Sequence, residues 1–185
     1  MHHMVEQRDT QVSLNIFKGF SAVHYAIFFG HFELYKLLSH WEFDCLTQEE
    51  VPIERKHLRA NSNIIQLAMI TSQLIFVHFI VVQFERFDKF RFLAKTTTAN
   101  GQNILTSAIK QPYDISSPVL NCVELVEELM QEDYPSDLVP VSLMAWVNQK
   151  QHAQLLRRWI DNPKLQKITY KQLLMNSSSL GTIIQ

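Results

Sequence analysis

Glycine is scarce in this chain: four residues in 185, about 2% against a usual ~7%. That shortage excludes a turn-rich all-β fold and an enzyme dense in glycine-rich phosphate loops. Cysteine is scarcer still, with Cys45 and Cys122 alone. Two thiols make no disulfide framework and match no metal-ligand spacing; they fit a reducing compartment, each as a small buried hydrophobe. An excess of charge of either sign is also missing. Seventeen basic and eighteen acidic residues leave a formal net charge of −1, so nothing draws the whole chain to nucleic acid or an anionic membrane. No charged-then-apolar leader pattern opens the sequence. Met-His-His-Met reads as a tag remnant, which removes His2 and His3 from any metal argument. Catalytic fingerprints are absent too: there is no G-x-S-x-G, P-loop, dinucleotide-binding, kinase or H-E-x-x-H pattern. The expectation is a chain with no catalytic residue, no cofactor and no metal.

What is present is apolar mass. Hydrophobic residues make up 46% of the chain, and Phe alone contributes twelve. This excludes wholesale disorder and, at this length, predicts a single domain over residues 1–185. No residue between Arg59 and Glu85 is charged, a stretch long enough to cross a bilayer, where about 20 apolar residues suffice. Thr71, Ser72 and Gln73 interrupt its middle, so a buried helix–turn–helix is expected and no membrane span. Acidic residues cluster at 124–137 and basic ones at 150–171. Both read as solvated helix faces that can pair with each other.

Local physics organises the apolar mass. Ser21 is placed to cap a short helix whose apolar stripe is Val23, Ala26 and Ile27. Gly30 can end that helix in the left-handed conformation, and Phe32, Leu34, Leu37 and Leu38 make the next segment amphipathic. A hairpin this small cannot bury its own face and needs stacked neighbours. The pattern then returns. Residues 61–80 align with 19–38 at a shift of 42, with Asn63 for Ser21, Ile65 for Val23, Gln66 for His24 and Ala68 for Ala26. At a shift of 82, Gly101, Asn103, Leu105, Thr106 and Ala108 fall on Gly19, Ser21, Val23, His24 and Ala26. Pro112 and Pro118 are expected to break this third copy. CVELVEELM then resumes as its second helix, which makes the copy longer than the others. The copies run over 15–40, 58–82 and 98–131. An atypical fourth is expected at 138–162, with a cap or tail over 163–185.

Residues 19–38, GFSAVHYAIFFGHFELYKLL, resemble the ankyrin repeat. Its Gly, Thr-Pro-Leu-His, Ala, Gly-His and closing Leu-Leu fall on Gly19, Ser21, Val23, His24, Ala26, Gly30, His31, Leu34, Leu37 and Leu38, with Ala22 in place of the proline. The resemblance implies an all-α fold, a solenoid of helical-hairpin repeats. Its linkers are long and irregular, since the copies lie 42 and 40 residues apart where about 33 is usual. The linkers at 41–60 and 82–99 are too apolar for floppy loops, so longer or added short helices are expected there in place of the family's hairpin fingers.

The family binds proteins along a concave face and rarely does chemistry. The resemblance therefore implies a non-catalytic module, monomeric, with a protein partner and no nucleic acid. The contact positions it implies are Phe17, Lys18, Phe20, Phe28 and Phe29 in the first copy. The second copy contributes Arg59, Ser62, Ile70 and Thr71, and the third Gln102, Lys110 and Gln111. The four phenylalanines read in two ways: an exposed apolar patch that marks an interaction site, or core covered by residues 1–14 or the 41–60 linker. His24 is expected to be structural. Irregular ankyrin proteins poor in Gly and rich in Phe, Ile, Gln and Asn also resemble effectors that intracellular bacteria such as Legionella inject into host cells. That resemblance implies work in a cytoplasm, the cell's own or the host's.

Two enzyme readings compete. Cys45 with a histidine, oriented by Asp44, would make a thiol hydrolase for which the repeats are scaffold. Alternatively the repeats position a catalytic domain outside this sequence. FERFDKFRF at 84–92 interleaves aromatics with basic residues, as single-strand binders do. Glu85 and Asp88 within it favour an amphipathic helix packed on the fold.

Overall fold

In the computed structural model, which describes residues 19–53, 56–131 and 150–166, the chain is mostly helical. The order is α1 (Ala22–Phe28), α2 (Phe32–Glu42), β1 (Val51–Ile53), β2 (Lys56–Leu58), α3 (Ile64–Ile70), α4 (Leu74–Arg86) and a 3-10 segment (Asp88–Lys95). Then come α5 (Ile104–Ile109), α6 (Tyr113–Asn121), α7 (Val123–Gln131) and α8 (Lys150–Asp161).

Helices α1, α3 and α5 start alike, each behind a short polar residue in extended backbone: Ser21, Asn63 and Asn103. Asn63 Oδ1 accepts from the Gln66 N–H at 3.0 Å while Gln66 Oε1 accepts from the Asn63 N–H at 3.1 Å. This reciprocal cap satisfies two donors that a helix start otherwise leaves bare. His24 plays the part of Gln66 at α1, its Nδ1 accepting from the Ser21 N–H at 3.0 Å. His24 is fully buried, and its motif position serves the helix start.

The turns are alike as well. Gly19, Asn61 and Gly101 precede the three caps with φ of 80°, 60° and 76°, and Gly30 and Ser72 follow α1 and α3 with φ of 74° and 58°. The second copy has lost its glycines but kept the left-handed backbone. A side chain there is strained by roughly 1–2 kcal/mol. Ser72→Gly removes that strain at an exposed position and gives back part of it as unfolded-chain entropy. A net gain of about 0.5–1 kcal/mol is expected, read as a higher urea midpoint at unchanged slope. A lower midpoint would contradict it.

Each first helix pairs with the next one in sequence, α1 with α2, α3 with α4, α5 with α6, and α1, α3 and α5 pack side by side. The uncharged stretch at 61–84 is thus two helices separated by a turn at 71–73. Among the described residues no helix is long and apolar enough to cross a membrane. Phe76 and Phe79 of α4 meet Phe32 and Tyr35 of α2 edge to face, with centroids 5.2–6.0 Å apart. The buried Tyr35 hydroxyl donates to Gln83 Oε1 at 2.7 Å, and Gln83 Nε2 donates to Ser39 Oγ at 3.3 Å. That chain satisfies three polar groups inside the α2–α4 interface.

The 82–99 linker is helical as expected: α4 runs on to Arg86 and the 3-10 segment follows. It holds FERFDKFRF, with Phe84 and Phe90 buried and Phe87 and Phe92 exposed. Arg91 of this segment pairs with Glu128 of α7, so one acidic residue of the 124–137 cluster has its partner here.

Two expectations are corrected. The 41–60 linker carries a β-hairpin, pairing Val51 with Leu58, Pro52 with His57 and Ile53 with Lys56. Val51 and Leu58 are buried while Pro52 and His57 are exposed, the period of two that a half-buried strand requires, and Pro52 would break a helix interior. The second correction is at QPYDISSPV, which forms α6 directly after α5. Pro112 stands outside the helix as its N-cap. Pro118 lies inside, and the Asp114 carbonyl that it cannot serve accepts from the Ser117 hydroxyl at 3.4 Å. Helix α6 thus begins where the first copy's spacing puts it, and Val119-Leu120, both fully buried, stand where Leu37-Leu38 do. CVELVEELM is an added helix, α7, packed on α6, α4 and the 3-10 segment. Helix α8 packs on α6, and Trp159 Nε1 donates to the Leu120 carbonyl at 3.0 Å. The start of the expected fourth copy, and all of the tail beyond 166, lie outside the described residues.

Candidate functional site

The hairpin, α3 and α5 enclose a cleft of about 260 Å³. Strand β2 brings Lys56, His57 and Leu58 to it, and the turn that follows brings Arg59 and Ser62. Helix α3 supplies Gln66, Met69 and Ile70, and the segment around α5 supplies Thr98, Gln102, Ser107, Lys110 and Gln111. The hairpin is fastened to α3 by Thr47, whose N–H donates to the Ser62 carbonyl at 3.0 Å and whose carbonyl accepts from the Asn61 N–H at 2.7 Å. Helices α3 and α5 are bridged by Gln66 Nε2, which donates to the Gln102 carbonyl at 3.2 Å and to Ser107 Oγ at 2.9 Å. The walls are therefore held by hydrogen bonds independent of any occupant.

Leu58 and Met69 are buried and Ile70 half-buried, so the cleft has an apolar side. Its rim is cationic. Arg59 donates to both oxygens of Glu50 at 2.6 and 2.7 Å, and His57 Nδ1 lies 3.2 Å from Glu50 Oε1. Lys56 Nζ donates to the neutral Gln111 Oε1 at 2.8 Å. Lys110 is exposed, and neither lysine has a carboxylate partner among the described residues. Among the described residues no acidic one lines the cleft. Its size lies just under the roughly 300–1,000 Å³ of small-molecule pockets.

Six of the sequence-derived positions, Arg59, Ser62, Ile70, Gln102, Lys110 and Gln111, line this one cleft. Thr71 adjoins it through Ile70, its hydroxyl donating to the Leu67 carbonyl at 2.8 Å. Phe28 and Phe29 lie at the α1 end of the same row of helices, where Phe29 is 55% exposed and stands edge-on to Phe28 at 5.2 Å. Two positions are corrected. Phe20 is core, fully buried against Tyr25, Phe28 and the His24 ring. Ser62 is 2% exposed and its hydroxyl donates to the Arg59 carbonyl at 2.7 Å, so it holds the turn and presents nothing to a partner. Phe17 and Lys18 lie outside the described residues.

Sequence reasoning missed Lys56, His57 and Leu58. A linker read as helix cannot place them beside α5, although the alternation of Val51, Pro52 and Ile53 signals a strand. Cys45, the candidate nucleophile, is half-buried beyond the end of α2 and lines no part of the cleft. Cys122 does meet two carboxylates, with its thiol and oxygens of Glu85 and Glu124 within 4.8 Å of one another. Burial, reinforced by those negative charges, pushes this thiol up to about 12. It is therefore protonated at neutral pH and a poor nucleophile. Comparison of the chain with protein-family models, curated proteins and solved structures finds no match.

Proposed function

We propose that the chain is a non-catalytic protein–protein interaction module, a divergent ankyrin-like stack of helical hairpins that holds a protein partner on the face built by the hairpin, α1, α3 and α5. The observation that carries this reading is convergence. Five positions picked from the repeat register and open to a partner, Arg59, Ile70, Gln102, Lys110 and Gln111, line one cleft whose walls are held without a ligand. The equivalent positions Phe28, Ile70 and Lys110 run from aromatic through aliphatic to cationic along α1, α3 and α5. Such a face suits a partner with an apolar anchor at one end and a polar one at the other. Two free cysteines fit work in a reducing cytoplasm, whether the cell's own or that of an invaded host.

The test is affinity capture with mass spectrometry, comparing the wild type with a Phe28→Ala/Phe29→Ala variant and an Ile70→Glu variant. Loss of a captured protein by about tenfold or more in both is expected, since aromatic anchors dominate such faces. Folding is checked by the melting curve. Equal capture by folded variants would sink this face as the binding surface.

A further inference from the structure

We infer that the cleft between β2, α3 and α5 receives the carboxylate of an Asp or Glu side chain in the partner's polypeptide. This rests on the interaction reading above and adds the chemistry of what is bound. Three cationic residues line the cleft, Lys56, Arg59 and Lys110, with no acidic residue among the described residues of its lining. Glu50 answers only Arg59 and His57 from the rim. Lys56 is held by the neutral amide of Gln111, the residue next to Lys110, and Lys110 has no charged partner among the described residues. Two ammonium groups thus share the lining of a partly apolar cleft with no described carboxylate on either, where screening is reduced. A carboxylate seated in the cleft would give these ammonium groups charge-assisted hydrogen bonds. Glu50 on Arg59 shows that this rim already accommodates carboxylate geometry. The apolar side formed by Leu58, Met69 and Ile70 favours an anion carried on methylenes and backbone over a free inorganic one. The volume admits one side chain, not a whole folded element.

The probe is an array of short peptides, acetylated and amidated so that the ends carry no charge, with one central position fixed in turn as each amino acid or phosphoserine and the others random. Enrichment of Asp and Glu over Asn and Gln is expected. Binding should fall about tenfold in Lys56→Gln/Lys110→Gln and fall as sodium chloride is raised. Both lysines reach solvent, and an unchanged melting curve verifies the fold. Acid preference unchanged in the double variant would overturn the assignment, as would phosphoserine outcompeting Glu at the fixed position. Peptides selected without acid preference, yet lost with Ile70→Glu, would remove the carboxylate and leave the interaction reading standing. Selection of no peptide at all would remove both.

Discussion

Replacing Phe76 by alanine is expected to lower the unfolding free energy by about 3–5 kcal/mol, a fifth or more of the roughly 5–15 kcal/mol by which native domains are stable. Phe76 has no exposed surface. Its ring stands edge-on to Phe32 at 5.4 Å and to Tyr35 at 5.4 Å, so truncation removes ring contacts that join α2 to α4. The cavity would open beside the Tyr35 hydroxyl and the Gln83 amide, whose hydrogen bonds depend on the two helices keeping their spacing. Urea unfolding followed by circular dichroism measures the loss. Leu37→Ala is the control: Leu37 is 70% exposed, and a change within about 0.5 kcal/mol is expected there. A Phe76→Ala loss below 1 kcal/mol, or one equal to the control, would contradict the α2–α4 packing.

Phe76 also marks how far the sequence could be read. At the shift of 42 it aligns with Leu34, which is 43% exposed, although the two positions look equally apolar. Periodicity finds the face of a helix; whether a neighbour covers that face depends on which helices pack beside it. Helix α4 lies between α2 and α6, whereas the outer side of α2 is exposed at Leu34, Leu37 and Trp41. The helix starts were legible for a local reason. A capping residue acts on backbone donors two or three positions away, so Ser21, Asn63 and Asn103 announce themselves without tertiary help. Pro118 was misread because the rule against proline in a helix assumes an orphaned carbonyl, and Ser117 supplies the missing donor. Apolar content alone does not distinguish helix from strand in the 41–60 linker; the period of two at Val51, Pro52 and Ile53 does. A helical reading there hides Lys56 and His57 from the cleft, since only a folded-back strand carries them to α5. The polar members Gln102, Lys110 and Gln111 were reached through repeat register alone; nothing in their own chemistry separates them from other surface residues.

Asn63 and Asn103 test that boundary between local and tertiary information, because their local roles are the same and their surroundings differ. Each caps its helix through Oδ1, and each is buried. The amide of Asn63 goes further: Nδ2 donates to Thr96 Oγ1 at 2.6 Å and to the Leu93 carbonyl at 3.3 Å, across thirty-odd residues, tying the start of α3 to the end of the 3-10 segment. The amide of Asn103 has no such partner among the described residues. Asn63→Ala therefore removes a cap and a buried cross-link, and a loss of about 3 kcal/mol is expected. Asn103→Ala removes a cap alone, for about 1 kcal/mol. Asn103→Ser keeps a capping oxygen while deleting the orphaned donor, and should stay within about 0.5 kcal/mol of wild type or exceed it. A double-mutant cycle of Asn63→Ala with Thr96→Val isolates the long-range bond, with an expected coupling of about 1–2 kcal/mol. Equal losses at the two asparagines, with no coupling to Thr96, would mean that the 3-10 segment contributes nothing to fixing α3. Helix α3 carries Gln66, Met69 and Ile70 into the cleft. A real coupling therefore predicts that Asn63→Ala weakens partner capture under conditions where the protein is still folded, whereas Asn103→Ser leaves it intact.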